Sequence, residues 1–415
     1  MTGLLRNLGW LLGSRGLNAL LSLVYLGLVT RTLGLEDFGR FTLIVVLSQA
    51  LAGVVSFQTW QAVVRWGAIA GEEGAAAGFA LALDLVSMAV GLVVAGIGAA
   101  LLGWWQPGLA GLGGLAFVQC AAALLAIRST PTGLLRLRDR YDLASLADAS
   151  QPAVRAAGAG LAAWFGAGLP GFVAAWAAAD LACAASYWLL ARRMVHIRRR
   201  EVNLRAMPAR HGGLWRFVWG TNLSRSVAVT GKQVLLLVIG AAAGPTIAGG
   251  YRVAAQLGTA LVQLGEALSR AIFPELVRAE DAALALVARV AGFAGAAGAI
   301  AVALAWLLGE RAIVALAGPG FAFTSVALVI LAAAGAFDLV SASWEALLVA
   351  RQRAMTALAI RAVPLLLAMA AMPGLVVLGL DAIAVAVAVA SAATALGLGF
   401  QVFRRPAVTA ASPIR

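Results

Sequence analysis

The sequence has few charged residues and very little lysine, histidine or cysteine. Of its 415 residues, 12% are charged and 62% are hydrophobic, and the mean hydropathy is +0.93. A soluble domain has about a quarter charged residues, so this chain lacks the polar groups needed to cover a water-facing surface. Lipid as the solvent removes that requirement. The sequence therefore predicts an integral membrane protein.

The residues that build catalytic and metal centres are equally scarce. Cys120 and Cys183 lie in apolar runs without other metal ligands beside them, which is typical of small buried side chains. Gly231-Lys232 lacks the upstream glycine and the following Ser or Thr of a phosphate-binding loop. The sequence contains no Ser/His/Asp set. We therefore expect no enzyme activity, no metal and no cofactor.

Apolar runs long enough to cross a bilayer recur along the whole chain. A spanning helix needs about 20 mainly apolar residues. The segments that qualify are 8–30, 41–64, 76–102, 109–127, 146–167, 169–190, 217–240, 248–269, 285–308, 324–349, 355–376 and 382–403. They predict an all-α membrane fold of about twelve transmembrane helices.

The cations lie mainly in alternate loops. Most of the 31 Lys and Arg residues fall in loops on the same side as the N-terminus, and few fall on the other side. This is the positive-inside pattern, and it predicts that both termini are cytoplasmic. The net charge of +13 is then explained by membrane orientation, and no nucleic-acid partner is expected.

The longest inner loop divides the chain into two halves of six helices. We predict four parts: an N-terminal lobe 1–191, a basic cytoplasmic linker 192–216, a C-terminal lobe 217–403 and a cytoplasmic tail 404–415.

The halves share one gapless stretch. A shift of 210 residues (244 minus 34) places Ser14-Arg15 on Ser224-Arg225, Gly34 on Gly244, Gly39 on Gly249 and Phe41 on Tyr251. Glycine at the turn positions permits backbone conformations that other residues rarely adopt. Because an even number of helices separates the copies, they form parallel repeats related by a pseudo-two-fold axis along the membrane normal. A binding site is then expected between the lobes.

Four short segments resemble one known family. They are LGLEDFGRF at 33–41, TGLLRLRDRYD at 132–142, GPTIAGGYRVA at 244–254 and FPEL at 273–276. They are similar to loops and helix ends of the Wzx-type flippases, which are O-antigen and repeat-unit transporters of the multidrug/oligosaccharidyl-lipid/polysaccharide exporter superfamily. The segments are structural patterns that favour the family without fixing a substrate.

The resemblance implies a transporter of the bacterial inner membrane for polysaccharide or lipopolysaccharide biosynthesis. Its substrate would be an oligosaccharide linked to undecaprenyl diphosphate, which crosses the membrane by alternating access. Membrane lipids surround such a protein, and a glycan polymerase or glycosyltransferases of the same pathway are candidate partners. H⁺ or Na⁺ is the candidate coupling ion.

Ionisable residues inside the predicted helices are the candidate site residues, because each costs about 2.5 kcal/mol or more at the bilayer centre. Arginine offers a planar set of donors to phosphate oxygens, and neighbouring amides can meet sugar hydroxyls. The candidates for substrate binding are Arg15, Asn18, Arg155, Asn222, Arg225 and Lys232.

Buried acids leave a second interpretation open. Asp84, Asp180, Asp338 and Glu345 are candidate counter-ions for the buried cations, or candidate coupling sites. Two other functions also stay open. A multidrug-type cation antiporter of the same superfamily would favour an acidic cavity, and a membrane glycosyltransferase would use a carboxylate such as Glu36 or Asp37 in an outer loop.

Overall fold

The computed structural model describes residues 2–194, 197–276, 283–350 and 353–404. Within the helices, it leaves the side chains of 2–20, 223–225, 227–229, 261, 263–276, 283–287, 346, 349–350 and 354 undescribed.

Helices make up all the regular structure of these residues. They are α1 (Thr2–Val55), α2 (Thr59–Gly67), α3 (Glu73–Ala100), α4 (Leu102–Trp105), α5 (Gly113–Leu125), α6 (Ser129–Leu137), α7 (Tyr141–Trp164), α8 (Gly168–Ala191), α9 (Ala206–Arg210), α10 (Leu214–Leu276), α11 (Ala283–Ala317), α12 (Ser325–Ala350), α13 (Ala354–Leu375) and α14 (Leu380–Phe403). Short 3₁₀ turns lie at Pro107–Leu109, Arg199–Glu201, Pro319–Thr324 and Val376–Leu378.

The two longest helices are each bent at a glycine. Gly34 in α1 has φ 70° and Gly244 in α10 has φ 80°, in the left-handed region that favours glycine. These are the residues that the sequence repeat places on each other. The bend divides α1 and α10 into two segments each, and α5 and α6 together form one broken helix. Counted in this way, the long helices occur in the same order as the predicted spans.

Nine stretches of the described residues are long and apolar enough to cross a membrane by length and composition. Twelve spans were predicted. The spans 8–30 and 41–64 fall in one stretch because α1 is one bent helix, the spans 217–240 and 248–269 fall in one stretch because α10 is another, and the span 146–167 in α7 gives no stretch. Helix α7 carries Asp148, Gln151 and Arg155, which make it too polar. The expected all-α multi-pass membrane fold is confirmed.

Two of the predicted spans do not run as continuous helices. The span 41–64 is interrupted between α1 and α2, and the span 109–127 consists of a 3₁₀ turn and α5 before α6 begins at Ser129. Hydropathy alone does not register these breaks.

The chain forms two compact units. Unit 1 contains Met1–Gly250 with Ala315–Gly320, and unit 2 contains Tyr251–Val314 with Phe321–Arg415. These units do not coincide with the predicted lobes, whose boundaries stay a prediction.

Equivalent glycines of the two bent helices meet inside unit 1. A Cβ atom on Gly39 would lie 2.0 Å from the carbonyl oxygen of Pro245, and one on Gly249 would lie 3.0 Å from the Cα of Gly39. Gly39 and Gly249, which the sequence repeat places on each other, are therefore in direct contact within unit 1.

The basic linker is folded against α3. A Cβ on Gly78 would lie 2.2 Å from the carbonyl oxygen of Glu201, so only glycine allows this approach. Arg210 pairs with Glu72 at 3.0 Å. Met207 is buried in a cluster with Trp66, Phe79 and Leu214. The linker is thus part of unit 1.

The segment after α6 is a tight turn. Asp139 has φ 53°, and Arg140 Nη2 donates to Asp142 Oδ2 at 2.8 Å where α7 begins. This hydrogen bond holds the pKa of the Asp142 carboxyl below its usual range.

The core of unit 2 lies between α11, α12, α13 and α14. Trp344 is buried against Leu348, Ala357 and Leu398, and its ring lies edge-on to Phe403 at 5.2 Å. Helices α11 and α12 approach closely at Gly298, where a Cβ would lie 2.3 Å from the Cβ of Ala336.

Candidate functional site

An ion pair lies between α7 and α8 in the interior of unit 1. Arg155 Nη2 donates to Asp180 Oδ1 at 3.0 Å, and the two side chains are 17% and 8% exposed. The guanidinium carbon of Arg155 lies 3.7 Å from the ring centroid of Trp176. Trp176 and Asp180 are four residues apart on α8, so they share one helix face. One face of α8 therefore holds the cation through a carboxylate and an aromatic ring.

Two amides complete the shell around this carboxylate. Gln151 Nε2 donates to Asp180 Oδ1, and Gln119 Nε2 from α5 donates to Oδ2 at 3.2 Å. Gln151 lies one turn before Arg155 on α7, so α7 presents both donors from one face. With an arginine and two amides as partners, the buried charge of Asp180 is compensated, as a charge away from water requires.

The network continues to Arg128, which lies between α5 and α6. Arg128 Nη1 donates to Gln151 Oε1 at 3.3 Å and lies 3.6 Å from Cys183 Sγ. We call Gln119, Arg128, Gln151, Arg155 and Asp180 the Asp180 network. It presents amides, cations and a carboxylate inside an otherwise apolar helix bundle, so it can bind a polar ligand or hold the helices in register.

A second buried carboxylate lies against the first turns of two helices. Asp84 of α3 accepts hydrogen bonds from the hydroxyl groups of Thr59 at 2.9 Å and Thr130 at 2.6 Å. It also accepts from the backbone N–H of Thr130 at 3.2 Å. These residues open α2 and α6, where unpaired N–H groups and the helix dipoles favour a negative charge. Within the described residues, Asp84 thus stabilises two helix starts and contacts no cation.

The predicted substrate residues of the second half lie on α10 before its bend. Asn222 is 6% exposed, and its Oδ1 has no hydrogen-bond partner in the part of the chain described. Lys232 is exposed. Between them, Ser226 Oγ donates to the carbonyl oxygen of Gly53 at 2.9 Å. Helix α10 therefore presents polar groups along several turns within unit 1.

In unit 2, a candidate acid also holds an arginine. Arg361 Nη1 of α13 donates to Glu345 Oε2 of α12, and the side chains are 34% and 31% exposed. Asp338 lies seven residues before Glu345 on the same helix.

The structure brings some of the predicted residues together and leaves others apart. It pairs Arg155 with Asp180 and Arg361 with Glu345. The side chains of Arg15, Asn18 and Arg225 lie outside the described residues. Sequence reasoning missed Gln119, Gln151, Trp176, Thr59 and Thr130 as partners of the acids.

Comparison with known proteins identifies the family. Residues 4–280 match the family described as polysaccharide biosynthesis protein. The chain belongs to this family. One relative is the inner membrane protein YghQ of Escherichia coli (strain K12). It is 31% identical to this family member over 291 residues, which are 66% of this chain and 80% of the relative.

Solved structures show the same fold. The lipid II flippase MurJ in an inward closed conformation gives a TM-score of 0.68 at 10% identity, covering 94% of this chain and 86% of that one. An inward-facing multidrug resistance MATE family transporter of the MOP superfamily gives 0.65 at 15% identity, covering 92% and 93%. This member of the polysaccharide biosynthesis family therefore has the two-lobe fold that these transporters share.

Proposed function

We propose that the protein flips an oligosaccharide linked to undecaprenyl diphosphate across the bacterial inner membrane by alternating access of its lobes, 1–191 and 217–403. Family membership over residues 4–280 supports a role in polysaccharide biosynthesis. The fold, shared with a lipid flippase and a drug exporter, supports transport over catalysis. The observation that carries the proposal is an exposed lysine deep within a long helix.

Lys232 lies far from both ends of its helix segment. It is 18 residues after Leu214 and 12 residues before Gly244, which correspond to about 27 Å and 18 Å at 1.5 Å per residue. An exposed side chain at such a depth faces either lipid or a water-filled cavity. A lysine facing lipid costs about 2.5–3.5 kcal/mol, so the cavity is favoured. A cation in a cavity suits the diphosphate of the proposed substrate.

Other groups on α10 support a polar path along this helix. Arg225 lies seven residues before Lys232, two helical turns away on the same face. The buried Oδ1 of Asn222 and Oε1 of Gln233 have no hydrogen-bond partner among the described residues. Buried oxygens without donors are costly, and sugar hydroxyls would supply those donors.

The proposed test reconstitutes the protein in proteoliposomes and follows a fluorescent polyprenyl-diphosphate oligosaccharide to the opposite leaflet. We expect Lys232→Gln to lower the flipping rate at least tenfold, which is the scale of one lost charge-assisted contact to phosphate. Arg200→Gln is the matched control, because Arg200 is an exposed cation of the linker. Flipping by Lys232→Gln at the wild-type rate would contradict the proposed site. Wild-type protein that moves no probe would contradict the substrate.

The same vesicles separate the rival function. Asp180 and the ring of Trp176 form an acidic and aromatic pair, as a cation-binding site would, and in this structure the pair holds the guanidinium of Arg155. A multidrug antiporter would move ethidium and leave the lipid-linked probe in place. Imposed H⁺ and Na⁺ gradients, applied one at a time, would then identify the coupling ion.

The charge distribution supports an orientation with both termini in the cytoplasm. The arginines of 192–216 lie in the predicted inner linker, and cytoplasmic loops carry the excess of Lys and Arg. Green fluorescent protein fused to the C-terminus is expected to fluoresce, since it folds in the cytoplasm. A dark fusion, together with activity of a periplasmic reporter at the same position, would reverse the orientation.

A further inference from the structure

A cavity of about 410 Å³ lies between α2 and the start of α10, apart from the Asp180 network. Its wall includes Arg65, Trp66, His211, Arg216 and Phe217. We propose that this basic cavity binds a phosphoryl group, carried by an anionic lipid headgroup or by a soluble phosphate compound. The proposal concerns unit 1 alone and does not depend on the transported substrate.

The cations of this cavity lack acidic partners. Within the described residues, no carboxylate lies within ion-pair distance of Arg65 or Arg216. Two neighbouring arginines do have acidic partners: Arg138 pairs with Glu73 at 2.8 Å and Arg210 with Glu72 at 3.0 Å. Two uncompensated cations facing one cavity favour an anion as the missing partner.

Aromatic rings hold Arg65 in place. Its guanidinium carbon lies 5.0 Å from the ring centroid of Trp66 and 4.7 Å from that of Phe217. The two rings pack edge-on at 5.2 Å. A guanidinium stacked on rings keeps its planar N–H donors available for oxygen ligands. The cavity is therefore organised before a ligand arrives.

His211 provides an unsatisfied polar atom in the same wall. Its Nε2 is buried and has no hydrogen-bond partner among the residues described. Its ring lies 6.1 Å from that of Trp66. Buried polar atoms are nearly always hydrogen-bonded in native proteins, so an oxygen-rich ligand in the cavity would explain this exception.

The shape of the cavity suits a compact oxyanion. Gly212 and Gly213 form part of the wall, and a Cβ on either would meet open space. The absence of side chains leaves the main chain accessible to a ligand. Arginine forks and accessible backbone N–H groups are the donors that phosphoryl oxygens prefer.

The level of the cavity indicates where the ligand comes from. Arg65 follows the predicted span 41–64, and Arg216 precedes the predicted span 217–240. Phosphate at this level belongs to lipid headgroups, although soluble phosphate has the same chemistry.

The test measures ligand retention by the full chain, purified in uncharged detergent, with native mass spectrometry. The probes are short-chain phosphatidylglycerol, matched phosphatidylcholine and inorganic pyrophosphate. We expect phosphatidylglycerol to bind more tightly than phosphatidylcholine. The double variant Arg65→Gln/Arg216→Gln should weaken phosphatidylglycerol binding at least tenfold, the scale of losing one or two charge-assisted hydrogen bonds.

The control carries the same change of charge outside the cavity. Arg199→Gln/Arg200→Gln removes two exposed cations of the linker and should retain wild-type binding. Arg216→Gln alone keeps the test valid if loss of Arg65 impairs folding, because the ring contacts described in this cavity involve Arg65 and leave Arg216 exposed. Pyrophosphate binding that depends on Arg216, without lipid binding, would support the phosphoryl site and assign it to a soluble ligand. Equal loss of binding in the cavity and control variants, or loss in neither, would overturn the proposal.

Discussion

The crossing of the two bent helices provides the sharpest test of the fold. At Gly39, a Cβ atom would lie 2.0 Å from the carbonyl oxygen of Pro245, 2.3 Å from its carbonyl carbon and 3.0 Å from its Cα. Real Cβ contacts are essentially never closer than 3.0 Å, so Gly39→Ala requires a shift of about 1 Å at the carbonyl oxygen. All three neighbours are main-chain atoms, and no side-chain rotation relieves the clash.

The size of the effect follows from two opposed terms. Overpacking in a close-packed interior costs about 1–3 kcal/mol, and a rigid backbone contact falls at the upper end of that range. Alanine in place of glycine returns about 0.5–1 kcal/mol in a helix. We therefore expect Gly39→Ala to destabilise the protein by about 2 kcal/mol, which lowers the apparent melting temperature by several degrees.

Two control variants separate the clash from other effects of the substitution. Gly98 lies in α3, and a Cβ there would meet open space, so Gly98→Ala should keep or slightly raise the melting temperature. Gly34 has φ 70° and also open space, so Gly34→Ala tests the backbone strain of the bend alone, at about 1–2 kcal/mol.

Melting is followed by tryptophan fluorescence in detergent, together with the flipping rate in proteoliposomes. The expected order of stability is Gly98→Ala above wild type or equal to it, then Gly34→Ala, then Gly39→Ala. If Gly39→Ala melts together with Gly98→Ala, the close crossing of Gly39 and Pro245 is refuted.

The two buried carboxylates give the remaining predictions. Arg155→Gln and Asp180→Asn should each destabilise the protein by about 3–5 kcal/mol, because each leaves a buried charge without its partner. The double variant should recover part of that loss. Strictly additive melting shifts would show that the two residues are not coupled. Asp84→Asn should destabilise by about 1–3 kcal/mol, because it weakens a backbone cap of α6 and the hydrogen bonds from the Thr59 and Thr130 hydroxyls. The matched Asp142→Asn removes a carboxylate that is 58% exposed and should cost no more than about 1 kcal/mol; equal melting shifts for both asparagine variants would refute the capping role.

The sequence predicted most helices, and the glycines at which α1 and α10 change direction, because the causes are local. Apolar length fixes a spanning helix, and the repeat located Gly34 and Gly244, where the backbone turns left-handed. The breaks before α2 and α6 were missed for a physical reason. Each is stabilised by Asp84, which lies 25 residues from Thr59 and 46 residues from Thr130 in the chain. A hydropathy window does not contain both partners.

The Asp180 network shows the same limit on a smaller scale. The spacing of Gln151 and Arg155, and that of Trp176 and Asp180, is enough to mark one polar face on each of α7 and α8. Which faces meet depends on packing between helices, and Gln119 joins from a third helix. The spacing of four residues marks the contributions of α7 and α8 to the network. It gives no sign of Gln119, which comes from α5.

Buried polar groups of unit 1 differ in how far their neighbours satisfy them. Asp180 is paired with Arg155, whereas Asp84 accepts hydrogen bonds from Thr59 and Thr130 without a cation. On α10, Asn222 Oδ1, Thr230 Oγ1 and Gln233 Oε1 are buried without hydrogen-bond partners among the described residues, as are six side-chain atoms elsewhere in unit 1. Unsatisfied oxygens cost about 1–3 kcal/mol each, and a ligand or another state that supplies donors would remove that cost. Because three such oxygens share α10 with the exposed Lys232, this helix is the candidate wall of the proposed substrate path.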